Sequence, residues 1–184
     1  MKKTIITIVV IVAILFAVIM PSYNNLVNLN EDVDNAWSQV QVAVKRRADL
    51  IPNLVNTVKG YANFEEETLT KITEARSKVN SANTPEELAS ANEQLTRAIG
   101  DINVVVEAYP ELKAQSSFLD LQAQLEGTEN RIATARRDYN EEVKVYNKKV
   151  RSLPTKLYAG LLGFGPKAYF EAPEGEQDAP DVNF

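Results

Sequence analysis

Apolar residues recur with a helical period along most of this chain. From Leu26 onward they follow a heptad, in which one apolar position is followed by a second one three residues later. The first position is apolar at Leu26, Val33, Val40 and Leu54. The second position holds Leu29, Ala36, Ala43 and Leu50. A third position next to it widens the stripe with Trp37, Val44, Ile51 and Val58. Such a stripe is typical of a helix that packs against a bundle core, and it predicts a first helix over about residues 22–62.

Three more helices follow from the same kind of pattern. A short helix after residue 61 presents Leu69, Ile72 and Val79 inward. Next, Thr84 can cap a third helix, Pro85 fits its first turn and Glu87 completes a capping box. This helix stops before Pro110, and its inward residues are Leu88, Ala91, Leu95, Ala98, Ile102 and Val105. A fourth helix over about residues 116–152 stops at Pro154, with Phe118, Leu121, Leu125, Ile132, Ala135, Tyr139, Val143, Tyr146, Val150 and Leu153 inward.

No window of the sequence alternates apolar and polar residues as a half-buried strand would. The sequence therefore predicts an all-α fold. The first and fourth helices are the longest, so we expect them to pack antiparallel, with the second and third helices forming a hairpin against them. The architecture predicted is an elongated antiparallel helical bundle of about four helices.

The start of the chain has a different pattern. Residues 4–20, TIITIVVIVAILFAVIM, contain no charge, glycine or proline, and they are about long enough for a single N-terminal transmembrane helix. A cleaved signal peptide is disfavoured because the segment is long and no small-residue cleavage site follows it. Since Lys2 and Lys3 precede the segment, the positive-inside tendency places the N-terminus in the cytoplasm and the bulk of the chain outside it.

These patterns divide the chain into four regions. Residues 1–21 are the predicted transmembrane anchor, and residues 22–153 are the helical bundle domain. Residues 154–170 form an aromatic C-terminal segment. Residues 171–184, EAPEGEQDAPDVNF, hold five acids, two prolines and no cation, which predicts an acidic disordered tail.

The composition removes several kinds of chemistry. The chain has no cysteine and no histidine. This excludes disulfides and thiol chemistry, makes a zinc site improbable and takes away the commonest general base. We therefore predict no catalytic, cofactor-binding or metal-ligating residue, and no cofactor. Apart from Lys2 and Lys3, 18 cations face 25 acids, and this acidic balance argues against nucleic acid as a partner.

The stretch 44–55, VKRRADLIPNLV, places a cation inside the apolar stripe. Arg47 occupies the inward position between Val40 and Leu54, so it needs an acidic partner or an escape to water. Counting residues along two antiparallel helices places Glu126 and Glu129 at the level of Arg47, and we predict a structural ion pair with one of them. Lys45 and Arg46 are expected on the solvated face, with Arg46 and Asp49 as an i,i+3 pair. Pro52 lies on the outer flank, where it is expected to bend a continuous helix, although two shorter helices remain an alternative.

The C-terminal segment combines aromatic and basic residues. If the fourth helix returns toward the membrane, this segment lies near the bilayer surface. There, Tyr158, Phe164, Tyr169, Phe170 and Lys167 would form a membrane interface. Two alternatives stay open: the same residues cap the open end of the bundle, or they contact a neighbouring protomer.

Several strings in this sequence resemble those of the LemA family of bacterial membrane-anchored helical proteins. They are NAWSQVQVAVKRRADLIPNLVNTVKGYANFEEETLTKITEAR from Asn35, YNNLVNLNEDV before it and FGPKAYFEA near the C-terminus. The resemblance covers almost the whole chain. It differs near Phe64, where the family usually shows a histidine and this chain reads ANFEEE. The resemblance implies a cell-envelope protein without an established activity, and for some relatives an association with membrane proteases or membrane remodelling.

The function expected is that of a non-enzymatic, membrane-anchored envelope scaffold or adaptor. It would bind the lipid bilayer through its anchor, and it would self-associate or bind envelope proteins such as a membrane protease. The alternative is a carboxylate-dependent enzyme or small-ligand binder, for which residues 65–67, Glu86 and Glu87 are candidates by residue type only. A pilin-type filament subunit is disfavoured, since the processing site of that class is missing.

Overall fold

A computed structural model describes residues 2–59 and 66–171 of the chain, with only the helical backbone at residues 12, 15, 18, 66, 67 and 69. The described residues form five α-helices: α1 (Lys2–Lys59), α2 (Glu66–Ser81), α3 (Pro85–Glu107), α4 (Pro110–Lys113) and α5 (Ser116–Arg151). Two short 3₁₀ turns follow at Thr155–Leu157 and Gly160–Leu162. No strand occurs within these described ranges, and the all-α prediction is confirmed.

Helix α1 continues without interruption through Pro21 and Pro52. The alternative of two shorter helices around Pro52 is therefore wrong. A proline inside a helix removes one hydrogen bond and crowds the preceding turn. The loss is tolerated here because the apolar stripe keeps its phase, with Ala48, Ile51 and Leu54 all buried around the proline.

The first part of α1 differs from the rest in its surroundings. Its described apolar side chains are exposed except for the half-buried Ile19, with Ile5, Ile8, Ile14 and Phe16 between 57% and 61% accessible. Burial begins at Leu26, which is fully covered. Within the ranges described, which omit three side chains of this stretch, no helix is long and apolar enough to cross a membrane.

Helix α3 begins where its capping residues predict. The Thr84 hydroxyl accepts a hydrogen bond from the Glu87 N–H at 3.2 Å, and the Glu87 carboxylate accepts one from the Thr84 N–H at 3.3 Å. Pro85 is the first helical residue. The two reciprocal bonds satisfy donors that the first turn of a helix leaves open, and they fix the turn between α2 and α3.

The predicted stripe of α3 is buried at Leu88, Ala91, Leu95, Ala98 and Ile102. At its end Val106 is buried and Val105 is only half-buried, so the expectation for Val105 was wrong. A straight α-helix has 3.6 residues per turn, so its buried face drifts away from a strict seven-residue repeat. The short helix α4 was not predicted, and it buries Leu112.

The described chain falls into two compact units. The first consists of residues 1–37 and 138–168. Here α1 and α5 run antiparallel, because Trp37 lies beside Tyr139 and Ser22 lies beside Thr155. The core of this unit contains Leu26, Val33, Ala36, Tyr139, Val143, Tyr146 and Val150.

The second unit takes in residues 38–137 and the described residues 169–171. It contains the later part of α1, the α2–α3 hairpin, α4 and the earlier part of α5. Its core brings together the predicted stripes of these helices, including Val44, Leu54, Ile72, Leu95, Leu121 and Ile132. Of the residues of α2 that were predicted to face inward, Ile72 and Val79 are buried. The side chain of the third, Leu69, lies outside the described residues.

The end of α5 differs from the expectation. Leu153 was predicted to point inward, but it is 74% exposed. The helix ends at Arg151, so the helical phase no longer applies two residues later. The tail prediction for 171–184 lies outside the described residues except at Glu171, which is exposed.

Candidate functional site

The most buried charge described in the second unit is Arg47, whose residue surface is 5% exposed. Its Nη1 lies 2.5 Å from Oε2 of Glu129 on α5. The same nitrogen donates to the Thr96 hydroxyl at 3.0 Å and to Oδ1 of Asn92 at 3.3 Å, both on α3. We call these four residues the Arg47 cluster. It ties three helices together around one positive charge.

Electrostatics explain why this charge has several partners. Burial lowers the pKa of Arg47 from its usual value, and the adjacent Glu129 carboxylate opposes that effect. Glu129 keeps 46% of its side chain exposed, so the cluster meets solvent through its acid. A guanidinium that is ion-paired and hydrogen-bonded in this way is suited to holding helices in register rather than to proton transfer.

Of the two acids predicted for Arg47, Glu129 makes the ion pair and Glu126 is exposed. The sequence interpretation missed Asn92 and Thr96. A signal was present, because Asn92 lies on the inward face of α3 between Leu88 and Leu95, where an apolar residue is expected.

The neighbouring cations behave as surface residues. Lys45 and Arg46 are exposed. Asp49, which the sequence paired with Arg46, lies 3.6 Å from Nη2 of Arg76 on α2. Since Asp49 and Arg76 are about half exposed, this contact between helices adds little stability.

In the first unit the C-terminal segment lies against α5 through an amide clasp. Asn147, 2% exposed, donates from its side chain to the Lys167 carbonyl and accepts from the Lys167 N–H, both at 2.8 Å. The Tyr139 hydroxyl donates to the Ala168 carbonyl at 2.9 Å. We call Tyr139 and Asn147, with the backbone of 167–168, the amide clasp. It supplies partners to backbone groups that no regular element serves.

The Lys167 side chain makes further contacts beside the clasp. Its Nζ lies 2.5 Å from Oδ1 of Asp34 on α1 and 5.5 Å from the centre of the Tyr146 ring. Tyr146 is almost fully buried, and burial raises the pKa of its phenol, with the Asp34 charge adding to the rise. Lys167 therefore joins the segment to α1 as well as to α5.

The predicted membrane-interface residues have unequal surroundings. Phe164 is half-buried, with its ring 5.7 Å from the Tyr23 ring in an edge-to-face arrangement. Tyr158 is half-buried, and its hydroxyl is buried without a partner in the described part of the chain. Lys167 is committed to the clasp. In the first unit Phe164 and Lys167 therefore contact helices α1 and α5.

The last two aromatic residues of the segment belong to the second unit. Tyr169 is 39% exposed, but Phe170 is 2% exposed, with the Arg136 guanidinium 4.7 Å from its ring centre. The expectation that Phe170 contacts lipid is wrong in this structure. An aromatic ring under a guanidinium gains a cation–π contact and loses its water-facing surface.

The described residues contain no group of three acids that could hold a metal ion. Of the alternative enzyme's candidates, residues 65–67 lie outside the described side chains. The Glu87 carboxylate accepts the Thr84 N–H in the capping box of α3, and Glu86 is exposed in its first turn. These two acids are accounted for by the start of a helix.

Comparison with known proteins identifies the class. The LemA family model matches residues 36–184. The protein LemA of Metamycoplasma hominis is 32% identical over 176 residues, which cover 94% of this chain and 79% of that protein. This chain belongs to the LemA family.

Two magnetosome proteins are more distant relatives. Magnetosome protein MamQ 2 of Paramagnetospirillum magneticum is 27% identical over 187 residues, covering 87% of this chain and 69% of that protein. Magnetosome protein MamQ of Magnetospirillum gryphiswaldense is 25% identical over 181 residues, covering 84% of this chain and 66% of that protein.

Proposed function

We propose that this LemA-family chain is a membrane-anchored, non-enzymatic scaffold or adaptor of the bacterial cell envelope. The observation that carries the proposal is the contrast within α1. Residues 4–20 are uncharged, and their described apolar side chains are exposed except for the half-buried Ile19, whereas the stripe from Leu26 onward is buried. Exposed apolar side chains of this number need an apolar environment, and a bilayer provides one.

The orientation follows from the flanking charges. Lys2 and Lys3 precede the apolar stretch, and acids appear only from Glu31 onward. The positive-inside tendency favours a cytoplasmic N-terminus with the helical units outside the cytoplasm. The chain would then be a single-pass protein of the cell membrane.

The buried polar groups support a structural role. Arg47 joins three helices, and Asn147 and Tyr139 hold backbone groups of the C-terminal segment. These groups are engaged in contacts that define the fold. This favours a scaffold over the alternative of a carboxylate-dependent enzyme.

Partner binding would use exposed apolar residues on the helices. In the second unit Val42 is 67% exposed and Leu119 49%. Such positions suit contacts with envelope proteins, including a membrane protease, or with another copy of this chain. Crosslinking in the native membrane followed by mass spectrometry identifies the partner. Efficient turnover of a small substrate by the purified chain would contradict the scaffold proposal.

Membrane anchoring has its own test. Membranes from cells making the full chain are washed at alkaline pH, and we expect the chain to stay in the pellet. Replacing Val10 and Ile14 with Asp should release it, because charges within the bilayer core are costly. Val104→Asp serves as the matched control and should stay in the pellet. Recovery of the unmodified chain in the supernatant would contradict the anchor.

A further inference from the structure

Four leucines of the C-terminal segment are exposed within ten residues. Leu153 is 74% exposed, Leu157 73%, Leu161 88% and Leu162 42%. We call them the leucine patch. A single exposed leucine is ordinary on a protein surface, but a group of this kind indicates a contact with something apolar.

The backbone around the patch is ordered by its own hydrogen bonds. The Leu162 N–H donates to the Tyr158 carbonyl at 3.1 Å, and the Phe164 N–H donates to the Ala159 carbonyl at 2.9 Å. Gly163, with φ of 85°, closes this turn in the left-handed region that glycine adopts without strain. Leu157, Leu161 and Leu162 therefore lie in two defined turns, and Leu153 lies just before them.

The opposite side of these turns faces the helices. Thr155 and Ala159 are each 1% exposed. The Thr155 hydroxyl lies 3.2 Å from the Ser22 hydroxyl, and the Phe164 ring packs against Tyr23. Both helix partners come directly after the apolar stretch 4–20. The leucine patch is thus held beside the point where that stretch ends.

The stretch of sequence that contains the patch carries cations and no acid. Residues 143–170 contain six cations and no acid, in a chain whose net charge is −5. Arg151 and Lys156, which stand next to the leucines in sequence, are exposed. Anionic lipid headgroups complement such a surface. A two-fold contact with a second copy would bring like charges together, so it fits these cations less well.

We propose that the leucine patch inserts into the surface of an anionic bilayer and forms a second lipid contact beside the N-terminal anchor. The inference rests on the proposed anchoring, because the anchor sets the level at which the turns meet the membrane. The residues assigned to the lipid contact therefore differ from the sequence prediction: Phe170 is buried, and the exposed leucines take its place. Phe164 packs against Tyr23 on the side of the turns that faces the helices.

The test places one environment-sensitive fluorophore on the full chain, which has no native cysteine. Three single-cysteine variants are labelled: Leu161→Cys for the patch, Ile8→Cys for the anchor and Val104→Cys as an exposed control. Each is reconstituted into phosphatidylglycerol–phosphatidylcholine vesicles with or without lipids that carry a quencher on the acyl chain. Circular dichroism checks that all three keep their helix content.

The proposal expects the labels at 161 and 8 to shift to the blue and lose most of their emission with quencher lipid, while the label at 104 changes little. Arg151→Gln with Lys156→Gln should weaken quenching at 161 but not at 8. If 8 is quenched and 161 behaves like 104, the leucine patch proposal is wrong and the anchor stands. If 161 is quenched and 8 is not, the patch contact stands and the anchor is wrong. A blue shift at 161 without quenching would mean that protein covers the leucines, which also overturns the proposal.

Discussion

The Arg47 cluster and the amide clasp hold their parts of the chain by different means. The cluster surrounds a buried charge with side chains from three helices. The clasp uses neutral side-chain groups to bind the backbone of a segment that is not helical at residues 167–168. A buried charge depends on its counter-charge, whereas an amide clasp depends on geometry. The two sites should therefore respond differently to substitution.

The largest effect is expected from Glu129→Ala. This change leaves the Arg47 guanidinium buried without its counter-ion, which costs about 3 kcal/mol in the free energy of unfolding. The matched control is Glu93→Ala, which removes an i,i+4 pair with the exposed Arg97 and costs about 0.5 kcal/mol or less. Urea unfolding in detergent micelles, followed by circular dichroism, measures both. Equal losses for the two variants would show that Arg47 does not depend on its acid.

The clasp is tested by Asn147→Ala. The Lys167 N–H and carbonyl lose their partners, and we expect a loss of about 2 kcal/mol. The C-terminal segment should also loosen, so trypsin should cleave faster after Lys167. Asn103→Ala, which breaks an exposed contact with Gln122, is the control and should change neither quantity appreciably. Unchanged cleavage in the Asn147 variant would show that the segment is held by other contacts.

A smaller effect is expected when the charge of the Lys167 side chain is removed. Lys167→Met keeps most of the apolar stem but loses the ion pair with Asp34. The Lys167 side chain is 25% exposed and that of Asp34 56%, whereas the Arg47 side chain is only 6% exposed. Solvent therefore screens the Lys167 pair more, and we expect a loss of about 1 kcal/mol or less. The comparison with Glu129→Ala in the same unfolding assay is direct. A loss as large as that of Glu129→Ala would mean that the two ion pairs are equally important.

The smallest effect concerns alkaline pH. The pKa of Tyr146 is raised in the folded state by burial and by the Asp34 charge. The unfolded chain therefore releases this proton first, and stability falls as pH rises past the ordinary tyrosine value of about 10. Tyr146→Phe should reduce this fall relative to the unmodified chain. Identical pH dependence of both proteins between pH 9 and pH 11 would contradict the assignment.

The difference between the sites also explains what the sequence could predict. Helix positions followed from the apolar period, and the start of α3 followed from its capping residues. Counting residues along antiparallel helices brought Glu129 to the level of Arg47, because a helix advances by a constant rise. The same helical period places the polar residue Asn92 on the inward face of α3, so its burial could have been predicted from the sequence but was missed.

The clasp could not be read in this manner. Asn147 and Tyr139 bind backbone groups of an irregular segment, and such contacts leave no period in the sequence. Residue type was also a poor guide to whether a side chain of this segment is buried or exposed. Phe170 and Leu153 are both apolar, yet Phe170 is buried under Arg136 and Leu153 is 74% exposed. Where the chain leaves the helix, only the path of the backbone decides which side chains face outward.

The measurement that tests the proposed function most directly is the labelling of Val104→Cys in living cells. Val104 is 69% exposed, and the chain contains no other cysteine. Spheroplasts making the full chain are treated with a membrane-impermeant maleimide before and after lysis, beside a cytoplasmic protein with an accessible cysteine as control. If residues 4–20 anchor the chain with its helical units outside, Val104→Cys is labelled fully in intact spheroplasts while the control is not. Labelling of Val104→Cys only after lysis would contradict the proposed orientation.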